Sequence, residues 1–412
     1  MTRIGRLRLA VNTAAGAANG SAWNALTQLA CFGFWFSLPF TQHRIGDIGL
    51  SELCGLLSIF LIGWSGRIVF KSAFLVVLFI HIVMCAFTVI RVFNDQADMV
   101  GPVRDMVAVT YSVLAAIVLV NLMAESRSAI VASLLGMRAS VYVSLVALAF
   151  SLLLPGSVDV WFSPLQDDVD EPLLREESGI LPRFVSFSTN PNQFAFYVLF
   201  SLFFTIIVNW KVFSFRIGLE FKFFVLVCLL LLFLTQSDAA MLAVGVGVSL
   251  IFVGRYLVGS PYASVLVGYL IACFSAVVLS ILWRWGLGDD AGNGRLNLWF
   301  SAARVIDEAG GVGLGYGAHV PDLFRVVNES HSVVFDFMLF GGVIGGALFF
   351  GILAFHLWAF FRPQGFWMAV PSLVIMVFCL TYSPLRHPIF WVAVLLPVLF
   401  GRTRFCSKFV HS

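Results

Sequence analysis

Long apolar segments separated by short polar ones dominate the chain, and most of them have the length of a membrane-spanning helix. Since a span needs about 20 apolar residues, the sequence predicts about twelve spans. They cover residues 23–40, 49–65, 72–90, 106–123, 139–155, 191–209, 222–236, 239–254, 262–283, 332–360, 366–382 and 389–400. The predicted fold class is all-α, a polytopic integral membrane protein in which residues 1–412 form a single transmembrane domain.

Basic residues are unevenly divided between the loops on the two sides of this predicted domain, and cytoplasmic loops carry an excess of Lys and Arg. One side holds 15 of the 25 basic residues, namely Arg3, Arg6, Arg8, Arg67, Lys71, Arg127, Arg138, Lys211, Arg216, Lys222, Arg255, Arg362, Arg402, Arg404 and Lys408. The short loops of the other side hold Arg44, Arg91, Arg104 and Arg386. Both termini are therefore predicted to be cytoplasmic. Two longer polar segments, 156–190 and 284–331, are predicted to face outward, which in a bacterium is the periplasm.

Composition agrees with a membrane protein, because 60% of the residues are hydrophobic and only 11% are charged. The formal net charge of +3 is too small to indicate a nucleic-acid partner. Six of the seven cysteines fall inside apolar segments, so neither a disulfide framework nor a zinc site is predicted. An acidic segment at 166–172 is interpreted as a solvated loop in preference to a metal site, because a hard-cation site needs several oxygens converging from a fixed turn.

Within the outward segment 284–331, the residues from 295 to 308 have the pattern of an amphipathic helix. Arg295, Trp299, Ala302 and Ile306 recur at helical spacing, as in a helix that lies at a membrane surface. Arg295 would stand near the start of this helix, where the helix dipole is also positive, and the two together suit a phosphate or diphosphate. An arginine that extends to lipid head groups is an equally good interpretation of this helix alone.

A glycine run follows, with glycines at 310, 311, 313, 315 and 317. It is neither a Walker loop, since no GK[ST] closes it, nor a dinucleotide fingerprint, since no strand precedes it. We expect Gly311 to end the amphipathic helix, and the others to let the backbone turn tightly beside another element. The GGVIGG sequence at 341–346 is expected to allow close helix packing in the span that follows.

Glu329-Ser330-His331 stands at the mouth of that span. A histidine in such a place can accept a proton near neutral pH, and a neighbouring carboxylate can fix its tautomer. The alternative is an interfacial polar cap without chemistry. The arginine helix and Glu329 together favour a catalytic His331.

Further polar residues lie at the predicted outward face. Arg183 ends the first outward segment, and the Asn-Pro-Asn sequence at 190–192 has the signals of a helix start. Asn192 is suited either to hold sugar hydroxyls or to bond a neighbouring helix. Asp238, at the outer end of a span, and Arg386, in the last outward loop, are further candidates.

In their order along the chain, these motifs resemble the O-antigen polymerase and O-antigen ligase superfamily. The motifs are Asn190 to Asn192, Gly294/Arg295/Trp299, Gly313/Gly315/Gly317 and His331/Ser332/Gly341. The resemblance covers roughly residues 180–345 by motif, and the rest of the chain by span count and topology.

The resemblance implies a GT-C type glycosyltransferase of the bacterial inner membrane. Such enzymes transfer sugars from undecaprenyl diphosphate with inversion, and without a metal or another cofactor. The acceptor would be a glycan or the lipid A core, and a chain-length regulator would be a partner. In this scheme His331 is the base and Glu329 orients it. Arg295 and Arg183 hold the diphosphate, and the remaining substrate contacts fall to Asn192, Trp299, Asp238 and Arg386.

The favoured function is polymerisation of lipid-linked repeat units of O-antigen or exopolysaccharide, because Glu329 two residues before His331 leans toward the polymerases. A ligase that places the glycan on lipid A core is the first alternative, since it uses the same leaving group. A transporter of lipid-linked oligosaccharides is the alternative from another class. A transporter should place charges midway through its spans and show repeat symmetry, whereas this chain concentrates its polar groups at one face.

Overall fold

The computed structural model describes residues 23–40, 44–45, 48–65, 72–94, 100–153, 184, 186–188, 190–211, 218–257, 295–318, 332–361 and 366–400. The helices in these ranges are α1 (23–37), α2 (Leu50–Ser65), α3 (Ser72–Asn94), α4 (Val100–Glu125), α5 (Arg127–Leu153), α6 (Pro191–Lys211), α7 (Leu219–Thr235), α8 (Asp238–Leu257), α9 (Arg295–Glu308), α10 (Val333–Phe360), α11 (Phe366–Cys379) and α12 (Pro388–Phe400). The strands in these ranges are β1 (Arg44–Ile45) and β2 (Ile48–Gly49), which pair antiparallel with Arg44 opposite Gly49.

The predicted helical character is confirmed. Eleven of the twelve predicted spans coincide with a helix, and the other, 262–283, lies outside the described residues. Within the described ranges, five helices are long and apolar enough to cross a membrane: α3, α4, α5, α6 and α10. This is the pattern of a multi-pass membrane protein. Twelve crossings, and the orientation of the termini, stay predictions.

The chain divides into two compact units. One combines residues 1–69 with 118–194, and the other combines residues 70–117 with 195–412. The single transmembrane domain over 1–412, and the outward placement of 156–190 and 284–331, stay predictions.

In the first unit, residues 186–188 are tied to the helices around them. The Ser186 hydroxyl donates to the Ser144 hydroxyl in α5 at 2.9 Å, and the Ser188 hydroxyl donates to the Pro39 carbonyl at 3.0 Å. These bonds fix the chain just before α6 begins.

In the second unit, α10 is the central element, because it contacts α3, α9, α11 and α12. The aromatic ring of Phe337 on α10 lies among those of Phe349, Phe390 and Trp391. The indole of Trp391 in turn donates to the Leu385 carbonyl at 2.8 Å, which holds the segment before α12 against the core. Buried aromatic rings therefore join α10 to α12 and to the segment before it.

The helix α10 is broken at Gly342, whose φ of 61° and ψ of −151° are not helical. The break frees backbone groups that a regular helix would pair, and the glycine run after α9 pairs them instead. Leu314 N–H donates to the Leu339 carbonyl at 2.7 Å, and Gly315 N–H donates to the Phe340 carbonyl at 3.0 Å. Val343 N–H donates to the Gly311 carbonyl at 2.9 Å. An apolar environment accepts such a break only where protein satisfies the backbone.

The glycine run can dock there because it carries no side chain at the closest approach. A Cβ on Gly313 would lie 2.6 Å from the Phe340 carbonyl oxygen and 2.9 Å from the Cα of Gly341. The run also closes α9, since the amides of Gly310 and Gly311 donate to carbonyls at Asp307 and Ile306, at 2.8 and 3.0 Å. Both expectations for these glycines, a helix end and a tight turn beside another element, are confirmed.

Candidate functional site

The predicted site residues fall into three groups with respect to the structure. His331, Glu329 and Arg183 lie outside the described residues, so their predicted roles stay predictions. Arg295 is the first residue of α9. The other four, Trp299, Asn192, Asp238 and Arg386, have described side chains.

Helices α9 and α10 lie side by side and run in the same direction. Near their starts, the rings of Trp299 and Phe335 stack, with centroids 5.9 Å apart and planes 26° apart. Further along, Ala302 and Ile306 pack with Leu339, and beyond them the glycine run meets the break of α10. The two helices therefore begin at the same end of the pair.

This parallel arrangement bears on two predicted residues. Arg295 begins α9 one turn before Trp299, and Ser332, the N-cap of α10, precedes Phe335 by three residues. His331 directly precedes that N-cap in the sequence. The indole Nε1 of Trp299 is buried and has no hydrogen-bond partner among the described residues.

A cluster of polar side chains lies between the first half of α4, the first turn of α10 and the segment before α12. Arg386 Nη2 donates to Asp105 Oδ2 at 2.7 Å, and the Ser112 hydroxyl donates to the Arg386 carbonyl at 2.5 Å. The Ser383 hydroxyl donates to Asp336 Oδ2. The segment before α12 is thus tied to α4 by Arg386 and to α10 by Ser383.

This cluster surrounds a cavity of about 30 Å³. Its lining residues are Asp105, Val109, Tyr316, Gly317, Ala318, Asp336, Phe340, Ser383, Leu385 and Arg386. Arg386 was predicted as a substrate contact, whereas Asp105, Asp336 and Ser383 were not. The available signal was a carboxylate at the start of, or inside, a predicted span, because such a group is costly unless it is used or paired.

Tyr316, which forms one wall of the cavity, is fixed by hydrogen bonds to neighbouring side chains. Its hydroxyl lies 2.9 Å from Nδ1 of His81, and Nε2 of His81 lies 2.9 Å from the Thr110 hydroxyl. Since Thr110 donates its own proton to the Met106 carbonyl at 2.6 Å, it accepts from Nε2–H, and Tyr316 donates to Nδ1. Burial raises the pKa of the Tyr316 hydroxyl well above its usual value, so this donor stays protonated.

His387 stands next to Arg386 and caps α12. Its Nδ1 accepts a long hydrogen bond from Ile389 N–H at 3.4 Å, and its ring meets the ring of Phe196 edge to face at 5.5 Å between centroids. Burial lowers the pKa of His387 from 6.5 to about 4. The imidazole is therefore neutral at physiological pH and acts here as a cap.

Folding stability should depend on the titration of His387. The unfolded chain protonates this histidine below about pH 6.5 and the folded chain only below about 4, so stability should fall by about 3 kcal/mol as the pH falls through that window. His387→Asn keeps an acceptor for Ile389 N–H and removes the titration. We expect this variant to lose that part of the pH dependence in denaturant unfolding at pH 4–7.5. An equal slope in the variant and the wild type would contradict the assignment, and His411→Asn is the control.

The ion pair between Arg386 and Asp105 yields a second stability prediction. The Asp105 side chain is 6% exposed and that of Arg386 is 44% exposed, so losing the Arg386 cation removes a close charged hydrogen bond from a buried carboxylate. We expect Arg386→Met to cost about 2 kcal/mol, below the range for fully buried pairs because of this exposure, and Asp105→Asn about 1 kcal/mol. Thermal unfolding in detergent, followed by tryptophan fluorescence, measures both.

The control for this prediction is Arg104→Met. Arg104 lies 3.9 Å from Asp105 and its side chain is 77% exposed, so we expect a change within about 0.5 kcal/mol. If Arg104→Met lost as much stability as Arg386→Met, the ion pair between Arg386 and Asp105 would contribute no more than the exposed contact of Arg104.

The remaining candidates occupy helix starts. Asn190 Oδ1 accepts from Asn192 N–H at 2.8 Å and Pro191 is the first residue of α6, so the predicted helix start is confirmed. Asp238 is the exposed first residue of α8, where the helix dipole favours a carboxylate. The Ser237 hydroxyl caps this helix by accepting from Ala240 N–H at 3.4 Å. Substrate contacts by the side chains of Asn192 and Asp238 stay predictions.

A metal site can be assessed within the described ranges alone. There, no group of three or more His, Cys, Asp or Glu side chains is close enough to hold an ion.

Comparisons of the whole chain with protein-family models, with curated proteins and with solved structures find no match.

Proposed function

We propose that the protein is a membrane glycosyltransferase that polymerises oligosaccharide repeat units carried on undecaprenyl diphosphate. The observation that best supports the proposal is the parallel packing of α9 and α10, marked by the stacked rings of Trp299 and Phe335. It brings the start of the helix that Arg295 opens to the end of α10 that follows Glu329-Ser330-His331 in the sequence. A cation for the leaving group and a base for the nucleophile are the two groups that such a transfer needs.

In the proposed reaction, a hydroxyl oxygen of the acceptor sugar attacks the anomeric carbon of the donor. A new C–O bond forms, and the bond from that carbon to the diphosphate oxygen breaks, with its electron pair leaving on the diphosphate. The proton of the attacking hydroxyl passes to His331, which Glu329 orients. The anomeric carbon passes through an oxocarbenium-like state and inverts.

The leaving diphosphate gains negative charge as the bond breaks, so fixed positive groups lower the barrier. Arginine suits a diphosphate better than lysine because its planar fork donates two parallel hydrogen bonds. We assign this role to Arg295, at the start of α9 where the helix dipole adds to its charge, and to Arg183. Neither residue needs a metal for this step, in keeping with the family that the motifs resemble.

The proposed location is the bacterial inner membrane, with both termini cytoplasmic and the site facing the periplasm. The division of basic residues between the predicted loops supports this orientation. In this location the site meets donor lipid in the outer leaflet.

A transfer assay tests the proposal. Full-length protein in detergent is incubated with lipid-diphosphate-linked oligosaccharides, with or without lipid A core, and the products are separated on a gel. A ladder from the donor alone is the expected result. A shift that requires lipid A core would replace the polymerase by a ligase. No product in either arm, together with movement of labelled donor across the membrane of proteoliposomes, would replace the enzyme by a transporter.

A further inference from the structure

Among the described residues, the charged side chains that line the cavity beside α10 are two acidic and one basic. They are the buried carboxylates of Asp105 and Asp336 and the guanidinium of Arg386. Charges act strongly on one another in buried surroundings, because the effective dielectric constant is well below that of water. The cavity therefore disfavours a diphosphate, which the proposed transfer places elsewhere, at Arg295 and Arg183.

The hydrogen-bonding groups of the cavity match hydroxyl groups. Carboxylates accept only, a guanidinium donates only, and the Ser383 hydroxyl, which donates its proton to Asp336, can still accept. A sugar hydroxyl both donates and accepts, so it can donate to a carboxylate while it accepts from Arg386. Asp336 and Arg386 are brought within reach of one ligand because Ser383 and Asp105 tie the segment before α12 to α10 and α4.

The rest of the lining is apolar and partly aromatic. The rings of Tyr316 and Phe340 lie 5.3 Å apart, and Val109 and Leu385 complete the wall. A few convergent polar groups on an apolar and aromatic wall are the usual composition of a small-molecule site. Tyr316 is rigid in this wall because His81 and Thr88 hold its hydroxyl and its backbone amide.

The size of the cavity limits what enters it. A volume of about 30 Å³ takes one or two groups of the size of a water molecule. A hydroxyl or hydroxymethyl substituent fits, whereas a whole sugar ring does not. Asp336 lies one turn into α10 from its N-cap Ser332, the end where His331 precedes the helix in the sequence.

We propose that this cavity binds hydroxyl substituents of the carbohydrate acceptor, with Asp336 and Arg386 as direct contacts and Asp105 as the residue that positions Arg386. The assignment to the acceptor rests on the proposed function. The recognition of carbohydrate hydroxyls rests on the cavity itself.

Saturation-transfer NMR on the full-length protein in detergent tests this inference, because it detects weak binding. The probes are the methyl glycosides of glucose, galactose, rhamnose and N-acetylglucosamine, with inorganic pyrophosphate as the anionic probe. We expect saturable binding of at least one glycoside, weakened about tenfold by Asp336→Asn and by Arg386→Gln. Ser383→Ala, a milder change in the same cavity, is expected to weaken it about fivefold.

The positioning role of Asp105 has its own readout. Asp105→Asn should weaken glycoside binding in the wild-type background and have no further effect in the Arg386→Gln background, because its influence passes through Arg386. Additive losses would remove the positioning role. The control is Ser249→Ala on α8, whose exposed hydroxyl donates to the Gly245 carbonyl of its own helix, and it should leave binding unchanged.

Two results would overturn the inference: absence of saturable binding by every glycoside, or loss of pyrophosphate binding instead of glycoside binding in the Asp336 and Arg386 variants. The transfer assay separates this inference from the proposed function. Glycoside binding that depends on these residues, without a ladder from any donor, retains the carbohydrate site and refutes the polymerase. A ladder, together with glycoside binding that is unchanged in the Asp336 and Arg386 variants, retains the polymerase and refutes the carbohydrate site in this cavity.

Discussion

Replacing His331 with alanine is expected to abolish glycan transfer while leaving the protein folded and able to bind its lipid-linked donor. A sugar hydroxyl is too weakly acidic to attack at neutral pH unless a base removes its proton during the attack. Loss of such a base lowers the rate by about 10²–10⁴-fold. The measurement is the initial rate of ladder formation, with thermal unfolding and donor binding recorded on the same preparation.

Two comparisons make the His331 result specific. His411→Ala, in the segment after the last predicted span, should retain the wild-type rate. Added imidazole should restore part of the transfer by His331→Ala, since the small base can occupy the space that the substitution leaves. Normal polymer output from His331→Ala would show that another group is the base.

Sequence patterns predicted the helices well because the signals are local. An apolar run of span length decides most helices before any partner is known. The start of α6 was predicted from Asn190 and Pro191 alone, and the structure has the cap hydrogen bond at that place. The helix α9 was also predicted from its apolar stripe, but as a helix at the membrane surface; that Ala302 and Ile306 of this stripe pack against α10 was not predicted.

Pairing across the fold could not be predicted in this way. Arg386 was recognised as a polar residue of the outward face, but its partner Asp105 is 281 positions away in the sequence. No local pattern connects two such positions. Asp336 was not predicted for another reason: it stands inside an apolar run, beyond the Glu329 to His331 sequence, and no polar neighbour in the sequence marks it.

The glycine run shows an intermediate case. Its composition predicted a close approach of backbone to some other element, since glycine permits what a side chain would block. The partner turned out to be the broken turn of α10, and the break depends on Gly342 at a position where the sequence shows only a glycine pair. The glycine composition thus predicted a close backbone contact but not the element, α10, that makes it.

Substituting alanine for Gly342 is expected to be strongly destabilising. The backbone there has φ 61° and ψ −151°, a region that is essentially restricted to glycine. A Cβ would also meet the Gly311 carbonyl oxygen and lie 2.6 Å from the Gly313 amide nitrogen, both within the docked glycine run. Strain and displaced hydrogen bonds together should cost about 3 kcal/mol or more. Thermal unfolding in detergent measures the loss.

The same helix provides the control for Gly342→Ala. Gly351 also lies in α10, but a Cβ there would meet nothing within 4 Å, so Gly351→Ala should be neutral or stabilise by up to about 1 kcal/mol. Gly342→Ala should in addition lower the transfer rate of the protein that stays folded, because the contact of the glycine run with α10 holds the start of α9 beside the start of α10. Equal stability of the two variants would mean that the packing of the glycine run does not require the broken helix geometry at Gly342. If a destabilised Gly342→Ala protein kept full transfer activity, the contact between the glycine run and α10 would not be required for transfer.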